Sequence, residues 1–153
     1  MAALNKVLPI LAHGSIDQSP EAVKKWFKEL RHAKEKLTEL HFYVHVRVTA
    51  ESPKSPSSKI IGHAHGITSS ALKEEDASRI GTMNLAFNDG KFNGSALSVL
   101  SDYPFFQKYK EMPIVGGSGV FRLARGIVTA IIHTYNDTTQ NEIIDFHVLV
   151  LHY

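Results

Sequence analysis

The side chains with chemical options are mostly histidines. The chain has nine, and four of them form evenly spaced pairs, His41 with His45 and His63 with His65. Even spacing puts both members of a pair on one face of a strand. A zinc-type site needs three or four ligands converging on one point. No third ligand with matching spacing stands beside either pair, so the sequence assigns no metal. Cysteine is absent from the 153 residues, which excludes thiolate ligation, a cysteine nucleophile and a disulfide framework. No Gly-x-Ser-x-Gly elbow is present to support a hydrolase triad.

The glycine-rich centre Gly116-Gly117-Ser118-Gly119 invites a phosphate-loop reading, which fails. Arg122 stands where a dinucleotide fold needs its third glycine, and no Gly-Lys-Ser/Thr follows. The segment reads as a sharply bent strand, with a second tight point at Gly126. Asn93-Gly94-Ser95 and Asn136-Asp137-Thr138 are glycosylation sequons in predicted turns, at Asn93 and Asn136.

These side chains need elements to position them. Ser19-Pro20-Glu21 is a helix start, with a capping serine, a proline in the first turn and an acid at the positive end of the dipole. Val23, Trp26, Phe27 and Leu30 then recur at helical spacing, predicting a helix over 19–36 packed on the rest of the fold. From Leu40 the period becomes two, with Leu40, Phe42, Val44, Val46 and Val48 on one face. A linker rich in serine and proline follows over 49–59. Further strands are predicted over 59–68, 81–88, 92–100, 112–135 and 142–153, with a hairpin at Asn88-Asp89-Gly90. The loop 101–110 is aromatic. About six strands and one leading helix make an all-β antiparallel barrel or sandwich.

Seventeen basic and fifteen acidic residues leave a net charge of +2. That excludes a nucleic-acid footprint, and no apolar run approaches a membrane span. The first residues faintly resemble a signal peptide broken by Pro9. The organisation is therefore an N-terminal segment 1–18, the amphipathic helix 19–36 and a barrel domain 37–153.

The ordered motifs are more specific than the periodicity. They are Leu40 to His45 (L-H-F-Y-V-H), Pro56 to Gly66 (P-S-S-K-I-I-G-H-A-H-G) and the run from Asn84 to Leu100. K-E-M-P-I with V-G-G-S-G-V-F-R-L-A-R-G and the closing H-V-L-V-L-H-Y complete the set. Together they closely resemble the plant dirigent family, in its legume-type, pterocarpan-synthase-like branch, from about Ser19 to Tyr153. The resemblance implies an antiparallel β-barrel of the allene-oxide-cyclase-like kind with eight strands, usually a secreted homotrimer in the apoplast. It implies stereocontrol of phenoxy-radical coupling, with an oxidase such as a laccase as radical source, or dehydration of an isoflavanol through a quinone methide. No cofactor is implied. Family members carry two more strands between the first strand and P-S-S-K, so the barrel is expected to be incomplete here, with unpaired edges.

The family's functional positions carry over one by one. Its aspartate after the L-H-F-Y-x-H stretch, the expected acid, is Val46 here. Its arginine before E-M-P is Lys110, which keeps the charge without the bidentate fork. The second aspartate of the lignan-type branch falls on Tyr103, with Asp102 one residue away. Its pocket tyrosine is Thr68. The candidate catalytic residues are thus Lys110, Asp102 and Tyr103, with Glu111 as another available acid. Phe42, Val44, Val46, Thr68, Met83, Leu85 and Phe87 are the expected pocket wall. The implied function is a dirigent-like protein of lignan or isoflavonoid biosynthesis acting on a small phenolic. The losses at Val46 and Thr68 favour the alternative of a non-catalytic phenolic-binding or trimer-assembly member. A lipocalin-like carrier of apolar ligands is a further rival.

Overall fold

The helix starts where its cap is. In the computed structural model, which describes residues 16–46, 59–71, 78–104, 107–136, 138 and 141–153, the Ser19 hydroxyl accepts from the Ala22 amide at 3.3 Å. Pro20 occupies the first turn of α1 (Pro20–Glu29). The helix is shorter than the predicted 19–36. It tightens into a 3₁₀ turn at Leu30–His32, and β1 (Lys36–Val46) already begins at Lys36. The alternating apolar residues of β1 claim that stretch for the sheet, and tertiary pairing overrides helical propensity.

α1 docks on the sheet through Trp26 and the residues just before its first turn. The Asp17 carboxylate accepts from the Ser19 amide at 2.9 Å, and the Asp17 carbonyl accepts from Arg122 at 2.7 Å. The same guanidinium lies 5.6 Å from the centre of the Trp26 ring. Gln18 donates to the Gly94 carbonyl at 3.1 Å.

Six further strands follow: β2 (Gly62–Ala71), β3 (Ser78–Phe87), β4 (Ser95–Pro104), β5 (Lys110–Ser118), β6 (Arg125–Asn136) and β7 (Asn141–His152). They form one antiparallel sheet in the order β1-β7-β6-β5-β4-β3-β2. β2 through β7 form an up-and-down meander, and β1 returns to pair with β7. Among the described residues β1 and β2 are edges, so the sheet curls into a half-barrel that does not close. Residues 1–15 of the expected N-terminal segment 1–18, and residues 47–58 with most of the expected linker, lie outside the described residues.

Seven strands replace the predicted six because the stretch 112–135 is two strands. A 3₁₀ turn at Gly119–Phe121 divides it. Gly119 takes φ +65°, where an L side chain is strained. The turn is pinned on both sides of Val120. The Val120 amide donates to the buried Ser95 hydroxyl at 3.0 Å. The Val120 carbonyl accepts from His152 Nδ1 at 3.1 Å. A carbonyl only accepts, so Nδ1 carries a proton, and Nε2 shares a hydrogen bond with Thr38 Oγ1 at 2.9 Å. A bulge sits opposite, where pairing shifts between Ser98 and Val99 and Val115 is the extra residue.

The concave face holds the core. Phe121, Phe146, Leu97, Val99, Val128, Val148 and Val150 are the largest fully buried side chains. Phe121 lies beneath the turn, with its ring 5.0 Å from Phe92, 5.7 Å from Phe87 and 5.2 Å from His152. Each such apolar side chain contributes about 1.5–3 kcal/mol on burial.

Two outcomes are expected. At Gly117 an added Cβ would meet the Phe121 carbonyl oxygen at 2.5 Å and the Ala96 carbonyl oxygen at 2.7 Å. Neither backbone group can move without opening the sheet, so Gly117→Ala should cost about 2–3 kcal/mol in urea unfolding. The Ser19 backbone amide, with the Ser19 side chain next, holds the Asp17 carboxyl below its usual range. A depressed folded pKa contributes stability above the ordinary carboxylate range and loses it as pH falls through the folded value. Trp26 fluorescence should report loosening of α1 below about pH 4, and Asp17→Asn should remove that acid-dependent step.

Candidate functional site

β3, β4, β5, β6 and β7 turn inward residues toward one cleft on the concave face. It is lined by Met83, Tyr103, Lys110, Met112, Ala130, Ile132, Glu142, Ile144 and Phe146, and its cavity measures about 20 Å³. That is room for about one water molecule. Its floor is apolar, from Met112, Ala130 and Phe146, which are buried. Three polar side chains stand among these residues: Lys110, Tyr103 and Glu142.

Lys110 begins β5 and is only 6 % exposed. A cation this buried needs partners. Its Nζ donates to the Gln107 carbonyl at 3.0 Å and lies 5.5 Å from the centre of the Tyr103 ring, a cation–π distance. Tyr103 is half-buried against the core cluster. Glu142, near the start of β7, is half-buried as well. In register it stands across from Val46, the last residue of β1.

The structure brings some expected site residues together and separates others. Lys110, Tyr103 and Met83 all line the cleft. Phe42 and Val44 are half-buried against the core, with the Phe42 ring 5.8 Å from Phe146 and 6.0 Å from Phe87. Leu85 and Phe87 belong to the core itself, at 3 % and 7 % exposure. Asp102 and Glu111 are exposed and do not line the cleft. Each directly neighbours an inward residue, Tyr103 or Lys110, and successive side chains of a strand point to opposite faces. Thr68 pairs with Gly81 on the edge strand β2 and is exposed. The side chain of Val46 lies outside the described residues. Asn93 ends the 3₁₀ turn at Gly90–Phe92, and Asn136 ends β6.

Two groups escaped the sequence reading. Glu142 was one; the signal for it was its place as an acid at the head of an apolar strand. The other is a set on the convex face, where His41, Asp145 and His147 place one ligand atom each within 4.8 Å of one another. The sequence offered no third ligand for the His41 pair. The third came from β7, whose pairing with β1 no local pattern encodes. His63 and His65 stack at 5.6 Å between ring centres.

A larger and more open hollow of about 290 Å³ lies under α1, lined by Trp26, Phe27, Gly117, Arg122 and Leu123 among others. No carboxylate lines it, whereas the concave cleft is lined by an acid, a phenol and a cation.

The sequence and the fold match known proteins. A family model described as Dirigent-like protein matches residues 47–151. Dirigent protein 23 of Arabidopsis thaliana is 27 % identical over 184 aligned residues, covering 99 % of this chain and 95 % of that protein. Those 184 positions exceed the 153 residues here by 31, so that relative fills at least 31 positions alone. Pterocarpan synthase 1 of Glycyrrhiza echinata is 32 % identical over 151 residues, covering 78 % of this chain and 80 % of that protein. The solved structure of the pterocarpan synthase dirigent protein GePTS1 superposes with a TM-score of 0.69 at 32 % identity, covering 79 % of this chain and 87 % of that one. On sequence and fold together, this half-barrel chain belongs to the dirigent family.

Proposed function

We propose that this chain is a dirigent-like protein that holds a flat phenolic intermediate of phenylpropanoid metabolism against its concave face and controls the geometry of its reaction. The observation that carries the reading is the meeting of Lys110, Tyr103 and Glu142 around an apolar floor. The similarity to pterocarpan synthases supports isoflavanol dehydration over radical coupling. In that reaction Glu142 donates a proton to the departing hydroxyl, and the C–O bond breaks with its electron pair going to oxygen. Water leaves, a phenol oxygen of the substrate feeds its electrons to the vacated carbon to give the quinone methide, and a second phenol of the same molecule adds to that carbon and returns its proton to the Glu142 carboxylate, so the acid is restored. Tyr103 and the Lys110 ammonium stabilise the phenolic oxygens on which charge shifts. Radical coupling would instead need an external oxidase such as a laccase.

The acid is relocated in this reading. Where the family places an aspartate at position 46, Glu142 occupies the cross-strand position. Cross-strand partners stand about 4.5–5.5 Å apart at Cβ, so a longer side chain from β7 reaches the same part of the cleft.

The small cavity and the two open edges favour a second reading, an assembly member that works only within a complex. Exposed Pro113, Ile127 and Leu149 are neighbours across β5, β6 and β7 on the convex face. An apolar patch of this kind fits self-association, and a homotrimer is the proposed assembly. Export to the apoplast would make Asn93 and Asn136 glycan acceptors.

The discriminating measurement is isoflavanol turnover by the purified chain with its assembly state followed by light scattering. Turnover is expected, with Glu142→Gln lowering the rate about 10²-fold and Lys110→Met lowering it less, both without loss of the folded state. No turnover alone, restored on mixing with a full-length relative, would replace the first reading with the second.

A further inference from the structure

We propose that the convex face carries a divalent transition-metal site, formed by His41 of β1 with Asp145 and His147 of β7, that clamps the edge strand β1 to the sheet. This site is independent of the cleft and of the function proposed for it.

The strand register assembles the set. His41 and His147 stand directly across from each other. Asp145 lies two residues before His147, on the same face. The two imidazoles stack with ring centres 4.3 Å apart and an angle of 20° between planes. Both aim Nε2 at one carboxylate oxygen: Asp145 Oδ1 lies 2.6 Å from His41 Nε2 and 3.4 Å from His147 Nε2. Two ring nitrogens converging on one oxygen already define a common centre.

The distances suit a metal of zinc size. Bonds of about 2.0–2.1 Å in a tetrahedral shell put neighbouring ligand atoms about 3.3 Å apart. The His147 pair is already there. The His41 pair must open by about 0.7 Å, a change that small rotations of two surface side chains supply. Imidazole and carboxylate donors without thiolate select Zn²⁺, Cu²⁺ or Ni²⁺ over Ca²⁺ and Mg²⁺. The side chains of His41 and His147 are 50 % and 53 % exposed, and that of Asp145 is 18 % exposed. Solvent therefore reaches the centre, and water completes the shell. Three protein ligands with an open position are a recognised arrangement for zinc.

The consequence is mechanical. β1 has no neighbour on its outer side among the described residues. A metal bound by one β1 ligand and two β7 ligands exists only when the strands are paired, so binding stabilises the paired state.

The test uses Zn²⁺ itself, followed by calorimetric titration and thermal melting, with Co²⁺ absorption as a coordination signature. One equivalent per chain is expected, with a rise in Tm and a tetrahedral Co²⁺ spectrum. His147→Gln and His41→Gln should each weaken binding at least about tenfold and abolish the Tm rise, and Asp145→Asn should weaken it about tenfold or more. All three positions are solvent-facing, and the metal-free Tm of each variant checks folding. The double variant His63→Gln with His65→Gln should bind like the wild type. Binding that survives His147→Gln, or that disappears with the β2 pair, or no stoichiometric uptake at all, would overturn the proposal and leave the cluster as a proton-sharing histidine–aspartate set.

Discussion

The pairing of the first strand with the last is the constraint on which the other features rest. Residue pairs run without interruption from Lys36 with His152 to Val46 with Glu142. Because strand side chains alternate, one register sets both faces at once. It places Phe42 beside Phe146 and Val44 across from Ile144 on the concave side, and His41 across from His147 on the convex side. A slip of one residue would drive the histidines into the core and the phenylalanines into water. The register is pinned at its far end by the hydrogen bond between Thr38 and His152, and beside it by Arg125, which pairs with Glu35 at 2.7 Å. The exposed ion pair contributes little. The buried histidine bond contributes more, because both its partners would otherwise be orphaned.

His152 also links that pairing to the bend between β5 and β6. Its ring spans from Thr38 to the Val120 carbonyl, while Ser95 takes the Val120 amide. Ser95 of β4 and His152 of β7 therefore meet at one residue of the turn, and Thr38 of β1 joins them through the His152 ring. The bend must be tight because Phe121 tucks under it, and Gly117 and Gly119 leave no side chain in the way. The same bend swings β6 back so that Ala130 lies beside Lys110 in register. The position of the buried cation is in this sense a product of the glycines.

What was legible in the sequence was what local physics decides. The cap at Ser19 and the two-residue period of β1 depend on near neighbours and stand as read, whereas the glycine bend, read inside one strand, is a turn between β5 and β6. The resemblance supplied the curled barrel and its incompleteness. The end of the helix was less legible, because the competition for Lys36 is settled by β7, more than a hundred residues away. Asp102 and Glu111 show a finer failure. Counting positions along a motif located Lys110 and Tyr103, yet one step along a strand reverses the face. The alternation of Met112 and Ile114 in K-E-M-P-I already turns Glu111 outward. Glu142 and the His41, Asp145, His147 set were hidden for a different reason. Both are cross-strand features, and a sequence does not display its own sheet order.

The open side of the half-barrel follows from an imbalance between its two edges. On the concave side β1 presents Leu40, Phe42 and Val44, all packed against the core. The matching positions on β2, read from its pairing with β3, are Gly62, Ala64, Gly66 and Thr68. Gly62 and Gly66 let β2 lie tightly on β3, since a Cβ at either would collide with a β3 carbonyl oxygen. They leave no apolar side chain to reach across to β1. Hydrophobic burial thus draws β1 onto β7 and gives no comparable pull between β1 and β2. Among the described residues, the same small residues leave the concave face beside β2 without an apolar cover. A partner chain laid on this edge would cover that face and pair the edge strand in one step. On the proposed function, assembly and ligand binding are therefore one problem, because the edge that invites association borders the same concave face as the cleft.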